Sequence, residues 1–167
     1  LAVAERLALI GADEARLLQG VERPIVLLQK RADHQLAENI APDNRYFGVM
    51  LPYTPLHYLL LQDEFEVLVM TSANLSDEPI AFEDHEACRR LHTIADAFLV
   101  HNRRIHTRTD DSIARVMADR PLLLRRSRGF VPRAIALRRE ASSILAVGAE
   151  LKNTLCLTCG DRAFLSQ

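Results

Sequence analysis

The chain has 167 residues, a formal net charge of −1, 49% hydrophobic residues and 26% charged residues. These proportions are typical of a globular domain, and the near-neutral charge gives no overall reason to expect a nucleic acid or an anionic membrane as a partner. No apolar run approaches the ~20 residues that a membrane-spanning helix needs. The three cysteines are an odd number and form no disulfide framework, so we expect a cytoplasmic protein.

The first third of the chain predicts helices followed by strands. Residues 2–20 have the apolar spacing of two short helices that Gly11 separates. A proline opens a continuous apolar run at residues 24–30, which predicts a buried strand. Residues 31–41 are polar and predict irregular structure, and residues 46–51 predict a second strand.

The middle of the chain predicts two helices and two more strands. Thr54 is the expected N-cap, and Pro55 the first residue, of a leucine-rich helix that reaches about residue 64. Apolar runs predict strands at residues 66–70 and 97–101, with an amphipathic helix between them at 83–94. In that helix we expect Cys88 to be a small core residue.

The last part of the chain is richer in strands. Residues 112–117 and 121–126 predict two strands with a turn between them, and residues 144–158 predict a hairpin that turns at 148–153. Residues 138–143 have the composition of a linker. The fold class is therefore α/β, with a mixed sheet, helices early in the chain and antiparallel strands late.

A polar segment, Thr71-Ser72-Ala73-Asn74-Leu75-Ser76, follows the apolar run at 66–70. Ligands of open α/β sheets bind at the carboxyl ends of strands. A spacing of two would place the hydrogen-bonding side chains of Ser72 and Asn74 on one side of a strand. The alternative is a local turn, which Ser, Asn and Asp favour for reasons unrelated to a ligand.

Four arginines lie within nine residues, and Gly129 interrupts them. Guanidinium groups bind phosphate or carboxylate through paired donors, and glycine lets backbone N–H groups approach a ligand closely. A solvated basic turn beside an acidic surface is an equal alternative. Asp110 and Asp111 precede Ser112 and could hold a magnesium ion, although a turn or a salt bridge to the arginines is the stronger interpretation. The set of arginines is Arg125, Arg126, Arg128 and Arg133.

The histidines and cysteines carry a weaker signal. His57 lies in the leucine-rich helix, where a packing role is commoner than a ligand role. His101 and His106 do not have a recognised zinc spacing. Cys156 and Cys159 form C-x-x-C inside a predicted strand with no second pair, which disfavours a zinc or redox site.

Four segments together resemble a known family. The residues Leu51-Pro52-Tyr53-Thr54-Pro55-Leu56-His57, the Thr71–Ser76 segment, Asp110-Asp111-Ser112 and Leu124-Arg125-Arg126-Ser127-Arg128-Gly129 occur in this order. They resemble the carboxyl-terminal part of the YrdC/Sua5-like domain of HypF-type carbamoyltransferases, which mature [NiFe]-hydrogenases. The resemblance implies a twisted mixed sheet with flanking helices at residues 1–138. A linker at 139–143 and the start of a Kae1-like domain of the actin/Hsp70 type at 144–167 would follow.

Members of that family form carbamoyl-adenylate from carbamoyl phosphate and ATP, and pass the carbamoyl group to the carboxyl-terminal cysteine of HypE for cyanide-ligand synthesis. The resemblance implies that Ser72, Asn74, Ser112, Arg125 and Arg128 line the nucleotide and carbamoyl-adenylate site. These groups would then converge on one hollow that accepts an anion. Mg²⁺ is expected with ATP, whereas zinc belongs to zinc-finger pairs of the family that this chain does not contain.

The family's upstream ligand-binding lysine segments are also not in this chain, so we expect the chain to be inactive alone. One alternative within the same fold is a threonylcarbamoyl-adenylate synthase of tRNA modification, against which the Leu51–His57 segment and the Kae1-like tail argue. Another is an RNA-binding YrdC-like module that uses the arginine cluster. The neutral net charge and the 5% aromatic content argue against it, because few rings are available to stack on bases.

Overall fold

A computed structural model describes residues 1–149 and 153–167. The described residues form two compact units. The first contains residues 1–68 and 111–133, and the second contains residues 69–110 and 134–167.

The first unit is a four-stranded mixed sheet with helices. Its elements are α1 (Ala2–Leu7), α2 (Ala12–Gln19), β1 (Ile25–Gln29), β2 (Tyr46–Val49), α3 (Pro55–Leu60), β3 (Ile113–Met117) and β4 (Arg120–Arg125). The strand order is β2-β1-β3-β4. Strands β1 and β3 are parallel, and the two outer pairs are antiparallel. The predicted mixed sheet is therefore confirmed.

The core of this unit lies between α2 and the sheet. Leu18 of α2 is fully buried and packs with Val26 and Leu28 of β1 and with Ala8. Alternate residues of a strand point to the same face, which is why Val26 and Leu28 reach the helix together. Each such side chain stabilises the fold by roughly 1.5–3 kcal/mol relative to an exposed position. This packing fixes β1, and through β1 the parallel strand β3 that begins at the site described below.

The helix at the Leu51–His57 segment begins as predicted but is shorter. The Thr54 hydroxyl accepts a hydrogen bond from the His57 backbone N–H at 3.2 Å, and Pro55 is the first helical residue. The helix ends at Leu60 rather than near residue 64. Leu56, Leu59 and Leu60, which the pattern assigned to an apolar face, are all exposed.

The second unit contains α4 (Asp84–Leu91) and a three-stranded antiparallel sheet of β5 (Ile135–Ala141), β6 (Leu145–Val147) and β7 (Leu155–Leu165), in the order β5-β7-β6. The predicted hairpin is confirmed as β6 and β7, and residues 150–152 of its turn lie outside the described residues. Strand β7 continues beyond the predicted end at Thr158, past Gly160, to pair with β5. The Kae1-like assignment of this hairpin stays a prediction, as do the domain boundaries.

Four predictions about local structure are wrong. Neither 66–70 nor 97–101 forms a strand within the described part of the chain. Val69 and Leu99 are 76% and 75% exposed, because an apolar run gives strand propensity but not a partner to complete its hydrogen bonds. The linker prediction fails up to Ala141, since β5 pairs with β7 there. Cys88 is exposed and is not a core residue, and the residue that α4 buries is Leu91.

Candidate functional site

Ser112 is the most buried of the predicted site residues. It immediately precedes β3 and has no exposed surface. Its hydroxyl donates to the backbone carbonyl of Arg128 at 2.9 Å and accepts from the backbone N–H of Ser127 at 2.8 Å. Its own carbonyl accepts from the Ile25 N–H at 2.8 Å. The hydroxyl therefore joins the start of β3 to the loop that follows β4.

Arg125 is the last residue of β4, and it lies opposite Ile113 in the antiparallel pair with β3. The strand register shifts between Ile113 and Ala114, directly after Ser112. Such irregularities redirect side chains at strand ends. Ser112 and Arg125 are therefore brought to the same end of the β3–β4 ladder, and their sharing of a phosphate stays a prediction.

The guanidinium group of Arg128 is surrounded by protein partners. Its Nε donates to the Asp111 carboxylate at 2.6 Å, and its terminal nitrogens donate to the carbonyls of Glu22 at 3.2 Å and Arg23 at 2.7 Å. The centroid of the Tyr53 ring lies 3.6 Å from the guanidinium carbon. Burial raises the pKa of the Tyr53 hydroxyl, with the Asp111 charge adding to the effect and Arg128 opposing it.

Two further arginines of the cluster also contact the protein. Arg126 donates to the carbonyls of Phe130 at 3.2 Å and Arg133 at 3.0 Å, which closes the loop on itself. Arg133 forms an ion pair with Glu22 at 2.9 Å. Arg126, Arg128 and Arg133 therefore contact other groups of the protein, and the cluster as a whole is not given over to a phosphate or carboxylate ligand.

The backbone conformation and close packing at position 129 explain why this residue is a glycine. Its φ is +88°, and a Cβ at this position would lie 2.5 Å from the Glu22 carbonyl oxygen. Residues with a side chain rarely adopt such a φ. The glycine therefore permits a close approach of the protein's own backbone, whereas the sequence had suggested approach to a ligand.

The acidic pair does not form a metal site by itself. Asp111 is bound to Arg128, which confirms the salt-bridge interpretation of this carboxylate. In the part of the chain that the structure describes, no group of three or more His, Cys, Asp or Glu side chains is arranged to hold a metal ion. The Mg²⁺ expected with ATP stays a prediction.

In the second unit, Ser72 and Asn74 lie in a loop rather than at the end of a strand. The Ser72 hydroxyl donates to the Asn74 side-chain oxygen, and the Asn74 side-chain nitrogen donates to the Leu75 carbonyl at 2.8 Å. The turn interpretation is therefore confirmed. The two side chains still face each other, and with Thr71, Ala73, Ser76, Leu91, Ile94 and Ala95 they line a cavity of about 420 Å³.

Arg90 of α4 holds this loop against the helix, a role that sequence reasoning missed. It contacts Glu86 on its own helix and Glu78 beyond the loop, and donates to the Pro79 carbonyl at 2.9 Å. The hydrogen bonds to Glu86 and then to Glu78 raise the pKa of Arg90. The spacing of four between Glu86 and Arg90 predicts the helical pair, but nothing local predicts Glu78.

Tyr53 and Glu22 were also missed as parts of the site. The Leu51–His57 segment was recognised as a motif, but only the tertiary structure places its tyrosine on Arg128. His57 packs edge-on against Tyr53 with ring centroids 4.6 Å apart, which agrees with a packing role.

Cys156 and Cys159 are free thiols on β7. Within residues 1–149 and 153–167, no helix is both long and apolar enough to cross a membrane.

The mixed sheet, its helices and the polar groups at the start of β3 and the end of β4 define an α/β domain with a candidate anion site. The model of the Sua5, YciO and YrdC family, described as telomere recombination, matches residues 2–127. The chain belongs to this family.

Similar proteins refine the comparison. The chain is 48% identical over 186 residues to carbamoyltransferase HypF2 of Cupriavidus necator, with 100% of the chain and 23% of that relative covered. It is 46% identical to carbamoyltransferase HypF of a Synechocystis species, with 92% and 20% covered. The chain thus spans less than a quarter of the length of these relatives, and the predicted resemblance to HypF-type enzymes is confirmed.

The fold comparison agrees. The crystal structure of full-length HypF in the phosphate- and nucleotide-bound form matches with a TM-score of 0.88 and 45% identity, over 99% of this chain and 26% of that one. The crystal structure of HypF from T. kodakarensis matches with the same TM-score and 38% identity. The prediction that Ser72 and Asn74 share one ligand with Ser112 and Arg125 stays a prediction.

Proposed function

We propose that the chain is a segment of a carbamoyltransferase that forms carbamoyl-adenylate from carbamoyl phosphate and ATP. The carbamoyl group would then pass to the carboxyl-terminal cysteine of a HypE-type partner for the cyanide ligands of a [NiFe]-hydrogenase. The observation that carries the proposal is the match, over nearly the whole chain, to a HypF structure described as phosphate- and nucleotide-bound.

The chemistry assigns roles to the predicted residues. Hydrolysis of carbamoyl phosphate first releases its phosphate and leaves carbamate. A carbamate oxygen then bonds to the α-phosphorus of ATP, and the bond from that phosphorus to the departing pyrophosphate breaks. Negative charge grows on the pyrophosphate, so fixed cations and neutral donors stabilise the transition state without a covalent nucleophile. Arg125 is the cation in this proposal, and the Ser72 and Asn74 side chains orient the nucleotide or the carbamoyl end.

Ser112 has a supporting part in this scheme. Its hydroxyl hydrogen is already donated to the Arg128 carbonyl, so its remaining capacity is as an acceptor. Its proposed contribution is to hold the backbone beside Arg125 in a single conformation. Mg²⁺ is proposed only as the counterion that ATP brings with it, and no step is assigned to a metal held by Asp110 and Asp111.

The test is ATP–pyrophosphate exchange by the protein expressed from its complete coding sequence, with carbamoyl phosphate present. Arg125→Ala is expected to lower exchange by roughly 100-fold or more, the size expected when a group that stabilises the transition state is lost. The control is Arg120→Ala, at the exposed opposite end of the same strand. Normal exchange by Arg125→Ala, with unchanged thermal unfolding, would remove Arg125 from this role.

Two alternatives are separated in the same preparation. A threonylcarbamoyl-adenylate synthase would show ATP–pyrophosphate exchange when L-threonine and bicarbonate replace carbamoyl phosphate. An RNA-binding module would retain RNA on a filter in a salt-dependent way, because phosphate contacts release counterions. Exchange that depends on carbamoyl phosphate, together with no RNA retention, supports the proposal against both.

A further inference from the structure

Arg128 was expected to contact the ligand, but its surroundings indicate a different role. Three of its nitrogens donate to Asp111, Glu22 and Arg23, and one face of the group lies on the Tyr53 ring. The side chain is 22% exposed. A guanidinium has five N–H donors, so most of its capacity serves these contacts.

The partners of Arg128 come from separate parts of the first unit. Glu22 and Arg23 precede β1, Tyr53 precedes α3, and Asp111 precedes β3. One side chain thus joins three connecting segments to the loop after β4. This contact gives the Leu51–His57 segment a structural role, because the ring of Tyr53 forms a cation–π contact with the Arg128 guanidinium.

The main chain of Arg128 extends this connection to the proposed site. Its carbonyl accepts the Ser112 hydroxyl, and the preceding residue, Ser127, donates its N–H to the same hydroxyl. Ser127 is itself 5% exposed. Movement of the Arg128 side chain would therefore change the position of Ser112 and of the backbone that follows Arg125.

We propose that Arg128 is a positioning residue of the adenylate site, held by Asp111 and Tyr53, and that it fixes the Ser112–Ser127 contact instead of binding phosphate. This inference rests on the proposed function for its effect on catalysis. The anchoring of the loop is a separate property of the fold. The two are therefore measured separately.

The catalytic test is a double-mutant cycle on Asp111→Asn and Arg128→Gln in the complete enzyme, with kcat/KM for pyrophosphate exchange as the readout. Each single variant is expected to lose roughly 100-fold, because small displacements of a site cost about that much. The double variant is expected to lose no more than the worse single one, since both changes remove the same ion pair. A phosphate-binding Arg128 predicts little loss for Asp111→Asn, and that result would overturn the proposal.

The structural test is amide hydrogen exchange of residues 127–130 in the same proteins. Arg128→Gln is expected to speed amide hydrogen exchange of residues 127–130 at least tenfold. Tyr53→Leu is expected to speed it by a smaller factor. The control pair is Asp13→Asn and Arg16→Gln, whose ion pair lies on α2, and these variants are expected to leave amide exchange of residues 127–130 unchanged. If Arg128→Gln leaves amide hydrogen exchange of residues 127–130 unchanged but loses pyrophosphate-exchange activity, Arg128 contacts the ligand. That result overturns the positioning role.

A third result separates the two claims. If the parent enzyme shows no pyrophosphate exchange with any substrate while Arg128→Gln still loosens residues 127–130, the proposed function fails and the anchoring role stands. Arg128→Lys sharpens the assignment. Lysine keeps the charge but cannot reach the carboxylate and two carbonyls in one plane, so it is expected to fail like glutamine. Full rescue by lysine would contradict the anchoring geometry.

Discussion

The Ser112 hydroxyl and the Ser127 backbone N–H, 15 residues apart in sequence, form a buried hydrogen bond of 2.8 Å. The same hydroxyl donates to the backbone carbonyl of Arg128, so it binds two backbone groups at once. In this way the start of β3 and the loop after β4 are joined at the proposed site. Because Ser112 and Ser127 are both buried, the contact has a clear energetic consequence.

Ser112→Ala removes the hydroxyl and leaves the Ser127 N–H and the Arg128 carbonyl without this partner. The free energy of unfolding is expected to fall by about 1–3 kcal/mol, the cost of leaving a buried polar group unsatisfied. Urea denaturation measures this change. The control is Ser143→Ala in an exposed connection, which is expected to remain within about 0.5 kcal/mol of the parent. Equal effects of the two substitutions would contradict the assigned contact.

Gly129 and Gly160 form a matched pair, because both have positive φ, of +88° and +58°. Alanine at Gly160 meets no atom within 4 Å, so it is expected to cost only the backbone strain of about 1–2 kcal/mol. Alanine at Gly129 would also meet the Glu22 backbone at 2.5 Å, which adds roughly 1–3 kcal/mol from displaced structure. Chemical denaturation of both variants tests the difference, and equal destabilisation would refute the close approach.

Glu22 predicts a pH dependence of stability. A hydrogen bond from its own backbone N–H, and the Arg133 guanidinium, lower the pKa of its carboxyl below the ordinary value of 4.5, with burial opposing them. The folded state thus favours the ionised form. Its stabilisation is complete above the unfolded-state pKa and is lost as the pH falls through the lower folded-state pKa.

Glu22→Gln is therefore expected to be less stable than the parent at pH 7 by no more than about 1 kcal/mol, since Arg133 is mostly exposed. The difference is expected to close as the pH falls below 4.5. Urea denaturation at pH 7 and pH 3 measures it. Glu38→Gln, at an exposed position, is the control. A stability difference that grows toward low pH would contradict the direction of the pKa shift.

Asn74→Ala tests the loop of the second unit. The change removes the acceptor for the Ser72 hydroxyl and the donor to the Leu75 carbonyl, so the loop loses the contacts that orient both side chains. The KM for ATP in pyrophosphate exchange is expected to rise roughly tenfold, because loop order and ligand contact are both reduced. Asn102→Ala, at an exposed position, is expected to leave it unchanged. Equal KM values for the two variants would remove Asn74 from the site.

Local sequence patterns predicted several elements of this fold and failed at others for a common reason. The N-cap at Thr54, the break at Gly11 and the proline-opened apolar run of β1 all depend on neighbours within a few residues. The runs at 66–70 and 97–101 have similar apolar character, but a strand also needs a partner whose identity is not local. The 138–143 stretch shows the converse, because pairing with β7 makes a strand out of residues with the composition of a linker.

The sequence by itself determined which residues are chemically capable of the proposed reaction and, through the order of its motifs, the family. Local pattern could not show which of four arginines within nine positions the protein's own groups engage. The tertiary structure decided this for Arg128, which meets the carbonyls of Glu22 and Arg23, 106 and 105 residues away. A guanidinium binds whichever acceptor the fold brings near, and that proximity is set by the packing of β1 and β3.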